Sequence, residues 1–134
     1  MGTVKVVIEK TGTGFAAYVP ELAGCVSTGS SVDVVKDRIN EAIEMHLIGM
    51  KDDGLIIPDL FTPTYTLCFS FKVETFLKHY NNIFTRRALS RITGINESLL
   101  SQYAAGLKHP RPAQSKKIEN GIHELARELL QVTL

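Results

Sequence analysis

The sequence predicts an α+β chain: a small N-terminal sheet carrying one helix over residues 1–72, followed by an all-α region over residues 73–134. Three observations predict it. Apolar residues recur with a period near two in Thr3–Glu9 and Tyr65–Val73, and beyond Glu74 the period lengthens to about 3.6. Charge divides at the same place. Up to Lys72 there are nine acidic and six basic residues, net −3, whereas from Val73 onward there are nine basic and five acidic ones, net +4. Such a split predicts partners of unlike charge, with nucleic acid the natural candidate for the basic half.

The first run, Thr3–Glu9 (TVKVVIE), is rich in β-branched residues and suits a strand with one buried face. Thr11, Gly12, Thr13 and Gly14 supply turn chemistry. Phe15–Val19 (FAAYV) then returns as the second strand of a hairpin, ended by Pro20, which has no N–H to donate to a ladder. After the Glu21–Gly24 turn, Cys25–Thr28 gives a third strand. Ser30 or Ser31 caps a helix, with Asp33 three residues after Ser30 in a capping-box arrangement. Val35, Ile39, Ala42, Ile43 and His46 follow helical spacing against the sheet, and polar residues fill the other positions. Gly49 and the Lys51–Gly54 stretch end this helix. A loop through Pro58 and Pro63 leads to Tyr65–Val73 (YTLCFSFKV), which rejoins the sheet.

In the second half, Phe76, Leu77, Tyr80 and Ile83 start the helical pattern, and Ala88, Leu89 and Ile92 continue it to Gly94. Asn96 or Ser98 opens another helix carrying Leu99, Leu100 and Tyr103, which Gly106 stops. Pro110 and Pro112 mark a loop and a new helix start, since proline is tolerated in the first helical turn. Ile118, Ile122, Leu125 and Leu129 then line one face of the last helix, either as a dimer seam or as core.

With 44% hydrophobic and 22% charged residues, the chain has the composition of a protein with a real core, not of a disordered one. No run approaches the roughly 18 apolar residues that span a bilayer, and the N-terminus lacks the basic-then-apolar order of a secretory signal. A cytoplasmic location without membrane attachment is expected. Cys25 and Cys68 form no CxxC pair, and His46, His79, His109 and His123 follow no metal spacing. Two reduced, mostly buried thiols are therefore expected, with no metal and no cofactor. A nucleophile pair of Cys25 and His46 exists on paper, although a buried cysteine and a helix-face histidine are commoner.

Thr85–Lys108 reads TRRALSRITGINESLLSQYAAGLK. Gly94 sits between two short amphipathic runs, where a helix-turn-helix needs a tight turn. Ser90 is small enough for close helix approach, and Ile95 and Leu99 can fill the angle. The places of Leu89, Ser90, Gly94, Ile95, Asn96, Ser101, Gly106 and Lys108 resemble the XRE-type, phage-repressor-like helix-turn-helix family. The resemblance implies a second helix lying in the major groove, with Asn96, Glu97, Ser98, Ser101 and Gln102 facing base edges and Arg86, Arg87, Lys108 and Arg111 at phosphates. Two positions depart from the pattern. Arg86 replaces a common glutamine, which suits phosphate better than a base, and the acidic Glu97 either reads cytosine N4 or belongs to the helix cap. A generic helical bundle with a glycine turn would share the spacing.

Tyr18, Pro20, Glu21, Gly24, Cys25, Ser27 and Gly29, with Gly54 and Pro58 later, resemble the HicB antitoxin family, from which Ala23 and Val35 are departures. That resemblance implies a partial RNase H-like fold without nuclease chemistry. It also implies a partner, a HicA-type toxin, which is a small basic ribonuclease that cuts mRNA. The acidic balance of residues 1–72 agrees with such a partner, while the residues contacting it stay unassigned. A live nuclease would need several carboxylates converging on two magnesium ions. Glu9 and Glu21 can share a face, but Asp33, Glu41 and Glu44 lie on a helix, where solvated surface is the usual fate.

The resulting expectation is a non-enzymatic antitoxin. Residues 1–72 neutralise the toxin, and residues 73–134 bind operator double-stranded DNA and form a homodimer or higher homo-oligomer, repressing the operon. The rival is a ligand-sensing helix-turn-helix regulator with no toxin partner.

Overall fold

Val4, Val6 and Ile8 alternate with Thr3, Lys5 and Glu9. The computed structural model, which describes residues 2–134, places the three apolar side chains on the buried face of strand β1 (Gly2–Lys10). The chain divides into two units, Met1–Lys72 and Val73–Leu134. In the first, β2 (Phe15–Tyr18) and β3 (Val26–Gly29) follow β1, then helix α1 (Val32–Asp52), a single 3-10 turn (Asp59–Phe61) and β4 (Tyr65–Phe71). The sheet order is β3-β2-β1-β4. β1 to β2 and β2 to β3 are antiparallel, whereas β1 and β4 are parallel, which is possible because α1 and its loop form a long crossover. These four strands and one helix are the small α+β sheet unit expected from the sequence.

Register decides which side chains meet α1. Val4 lies opposite Leu67, Val6 opposite Phe69, and Ile8 opposite both Phe71 and Ala17. That face packs against Val32, Val35, Ile39 and Ile43 of α1, with Val19, Leu22, Cys25 and Phe61 closing the edges. Each fully buried aliphatic side chain contributes on the order of 1.5–3 kcal/mol, so four from one helix fix its seat. Cys68 has the opposite parity, beside Lys5, and is exposed. The expectation of two buried thiols therefore holds for Cys25 and fails for Cys68.

Ser31 is the cap of α1, its Oγ accepting from the Val34 N–H at 3.2 Å. The helix passes straight through Gly49, because a single helical glycine costs only about 1 kcal/mol relative to alanine, and ends within the expected Lys51–Gly54 stretch. Its end is set five residues on. The Gly54 N–H bonds to the Lys51 carbonyl and the Leu55 N–H to the Met50 carbonyl, a Schellman turn with Gly54 in the left-handed position. Ala42 and His46 are only half-buried, at the margin of the helix face expected to be core.

The second unit contains α2 (Val73–His79), α3 (Arg86–Thr93), α4 (Glu97–Ala104) and α5 (Pro112–Leu129). Its core is Leu77, Leu89, Ile95, Leu100, Tyr103, Ala104 and Ile118. Five expected apolar positions, Tyr80, Ile83, Ala88, Leu125 and Leu129, are neither in it nor packed against it. Ile83 is 66% exposed in the turn after α2, and Ala88 falls outside the arc that Leu89, Ile92 and Thr93 share on α3. Along α5 the apolar stripe runs from buried Ile118 through half-buried Ile122 and Leu125 to exposed Leu129, so only its first half is core. No helix among the described residues is long and apolar enough to cross a membrane.

Candidate nucleic-acid interface

α3 and α4 are eight residues each, too short to persist alone. What holds them together is the three-residue connection Gly94, Ile95, Asn96. Thr85 caps α3, its Oγ1 accepting from the Ala88 N–H at 3.0 Å. At the other end Gly94 has φ 73°, a left-handed conformation that suits glycine, and its N–H bonds to the Ser90 carbonyl at 2.8 Å. Buried Thr93 joins the two sides of the turn: its hydroxyl donates to the Leu89 carbonyl at 2.7 Å and accepts from the Ile95 N–H at 3.2 Å. Ile95 then enters the core, and Asn96 caps α4 by accepting from the Ser98 N–H at 2.8 Å.

On α4, Leu100, Tyr103 and Ala104 face inward. The opposite side presents Ser98, Ser101 and Ala105, all exposed, with half-buried Gln102 beside them and exposed Asn96 and Glu97 at the helix start. The five residues expected at base edges therefore lie on one end and one side of one helix. Asn96 has its side-chain oxygen engaged in the cap, which leaves its amide hydrogens free. Glu97 lies in the first turn of α4, where a carboxylate interacts favourably with the helix dipole.

The expected phosphate-side cations divide. Arg87, Lys108 and Arg111 are exposed, Arg111 at the cap position of α5. Arg86, the first residue of α3, is half-buried, and its Nη1 is shielded from solvent without a hydrogen-bond partner. A shielded guanidinium donor without an acceptor costs free energy. Elsewhere in the unit, Lys78 pairs with Glu74 at 3.0 Å and Lys116 with Glu119 at 2.9 Å. The hydrogen bond from Lys116 holds the Glu119 carboxyl below the ordinary carboxylate range.

Sequence reasoning missed three contributors. Gly121 on α5 packs so closely on α3 that a Cβ there would lie 2.6 Å from the Ile92 carbonyl oxygen. A glycine inside an apolar-periodic helix was the available signal. Lys117 reaches the turn, its Cε 3.6 Å from where a Cβ on Gly94 would sit. Thr93 left no readable signal, since its two bonds depend on the turn already being formed.

In the first unit, the string from Tyr18 to Gly29 builds the β2 to β3 connection. The Val19 N–H bonds to the Cys25 carbonyl at 3.2 Å, and the Cys25 N–H to the Leu22 carbonyl at 3.1 Å. Gly29 lies under the first turn of α1, where a Cβ would be 3.1 Å from the Val35 nitrogen. Cys25 is buried in the core of the first unit, and burial pushes its thiol up, the opposite of the lowering that activates a cysteine. Among the described residues no group of three or more His, Cys, Asp or Glu could hold a metal ion.

The family described as "HicB_like antitoxin of bacterial toxin-antitoxin system" matches residues 4–67. A UPF0150 protein of Helicobacter pylori strain J99 is 44% identical over 52 residues, 39% of this chain and 72% of that protein. The chain belongs to the HicB-like antitoxin family. An uncharacterized 14.9 kDa protein from the rep-hol intergenic region of Haemophilus phage HP1 is 35% identical over 51 residues, 38% of each chain. No solved structure matches the chain. The HicB-like match lies within the first unit, so the reading of α3 and α4 rests on their geometry.

Proposed function

We propose that this chain is a non-enzymatic antitoxin that neutralises a HicA-type, mRNA-cleaving toxin through its first unit and represses its own operon by binding operator DNA through its second. Family membership supports the antitoxin role and a toxin partner. The repressor role is carried by one observation: α4 follows α3 through a three-residue turn and turns Asn96, Ser98, Ser101 and Gln102 outward, with Arg87, Lys108 and Arg111 exposed in the same unit. In this reading α3 and α4 form the helix-turn-helix. α4 lies in the major groove, exposed Ala105 allows close approach, and exposed Arg87, Lys108 and Arg111 meet phosphates, with half-buried Arg86 beside them. A homodimer supplies the second half-site. Leu129 at the end of the α5 stripe, with Leu130 and Val132 just past the helix, are 58%, 85% and 56% exposed and support a seam there.

The test is fluorescence anisotropy with the intergenic DNA upstream of the gene across a salt series. The logarithm of the binding constant is expected to fall with log salt at a slope of about −0.9 per phosphate neutralised. Lys108→Ala is expected to weaken binding to all sequences alike and to reduce that slope by about 1 per lost contact, whereas Ser98→Ala should alter sequence preference. Native chain that forms no salt-sensitive, sequence-preferring complex would remove the repressor half of the proposal.

A further inference from the structure

Helix α1 carries its acids on one line. Asp33, Asp37, Glu41 and Glu44 succeed one another at steps of four, four and three, Ile48 and Asp52 continue at steps of four, and all six are exposed. At 1.5 Å per residue the line runs about 30 Å, on the side opposite Val32, Val35, Ile39 and Ile43. Two of the three cations of the same helix are turned to its flanks, while the third, exposed Lys51, shares the line near its end. Lys36 Nζ lies 4.7 Å from the Phe69 ring centroid and 5.6 Å from that of Phe71, and Arg38 Nη1 donates to the Thr28 carbonyl at 2.9 Å. Among the described residues the ion pairs are Glu74–Lys78 and Lys116–Glu119, both in the second unit, so none of these acids is neutralised in one. Like charges four residues apart oppose helix formation, and this crest therefore runs against the stability of its own helix.

A second feature adjoins the acids. Met45 and Ile48, on the last turns of α1, are 73% and 61% exposed, and Leu55 and Ile56, just past the Schellman turn, are 58% and 91% exposed. Large apolar side chains left in water at one end of a row of carboxylates give a surface that is part apolar and part charged, as protein interfaces are. A nucleic acid does not fit it, since phosphates would meet carboxylates. A protein with an apolar patch flanked by lysine and arginine does.

We infer that the crest of α1, with Leu55 and Ile56 at its end, is where the toxin docks, and that the toxin meets it with a basic surface around an apolar patch. This rests on the antitoxin reading above and assigns that reading its surface. The test measures, by interferometry with full-length chain, affinity for the HicA-type toxin encoded in the adjacent reading frame. Asp37→Lys combined with Glu41→Lys, and separately Ile48→Asp, are each expected to weaken capture on the order of tenfold or more. Glu9→Lys, an exposed charge change on β1, is expected to leave it unchanged. Circular dichroism and operator binding report whether the variants still fold. If native chain captures the toxin and the folded crest variants capture it equally well, the crest is overturned while the antitoxin reading stands. If native chain captures no such protein, both fall. If the variants instead change only the oligomeric state by light scattering, a second copy occupies the crest and the inference is wrong.

Discussion

The two units hold an exposed helix face by different means. In the first, the 21-residue α1 is seated by Val32, Val35, Ile39 and Ile43 on a four-stranded sheet, and everything opposite that stripe is free to carry charge. In the second, the eight-residue α4 has three buried side chains, Leu100, Tyr103 and Ala104, and its placement depends on the turn before it and on α3. A long helix on a sheet spreads its attachment over many contacts, whereas a short helix in a bundle concentrates it in a few atoms. Surface changes on α1 should therefore be tolerated and changes near Gly94 should not.

The largest expected effect breaks the first of these attachments. Ile39 is fully buried between α1 and the sheet, and Ile39→Ala is expected to cost about 2–5 kcal/mol, read as a lowered denaturation midpoint. Toxin capture should fall with it, while operator affinity holds at temperatures where the second unit is folded. An equal loss of both activities at such a temperature would mean that the two units do not act separately. Next in size is the converse change. Gly121→Ala places a methyl 2.6 Å from the Ile92 carbonyl oxygen, a backbone atom that moves only if α3 moves. Overpacking of this kind costs about 1–3 kcal/mol, and it should lower operator affinity more than toxin capture. A variant with unchanged operator binding would show that the α3 to α5 spacing does not set the presentation of α4.

The same contrast explains what the sequence disclosed. The sheet unit was legible because its signals are periodic: alternation in Thr3–Glu9 gives the buried face, and the 3.6 spacing of Val35, Ile39 and Ile43 gives the face of α1 that covers it. The turn at Gly94 was legible because glycine between two helical runs has few other uses. Gly49 does not end α1 by itself because one glycine is a weak stop, outcompeted by the backbone bonds at Gly54 and Leu55. Cys68 misled because residue type says little of burial when a strand has one open face, and only the register with Lys5 places it outside. The candidate interface was half legible. Residue chemistry marks Asn96, Ser98 and Arg87, but the shielding of Arg86, the two bonds of Thr93 and the close approach at Gly121 exist only after folding.

The smallest expected effect compares the two cysteines, one on each side of the sheet. Cys25 is buried and its pKa is raised by desolvation from an ordinary value of 9.0, whereas Cys68 is exposed. The folded state keeps the Cys25 proton in a pH range where the unfolded chain has released it. Its contribution is thus intact below the ordinary thiol value and is lost as pH rises through that value toward the raised one. Exposed Cys68 should be labelled by a thiol reagent without any opening of the fold, and Cys25 only as fast as the first unit opens. Cys25→Ala should flatten the alkaline fall in stability. Equal labelling rates for the two thiols in the native state would mean that the face of the sheet assigned to α1 is open to solvent, and the packing argument for α1 would fail with it.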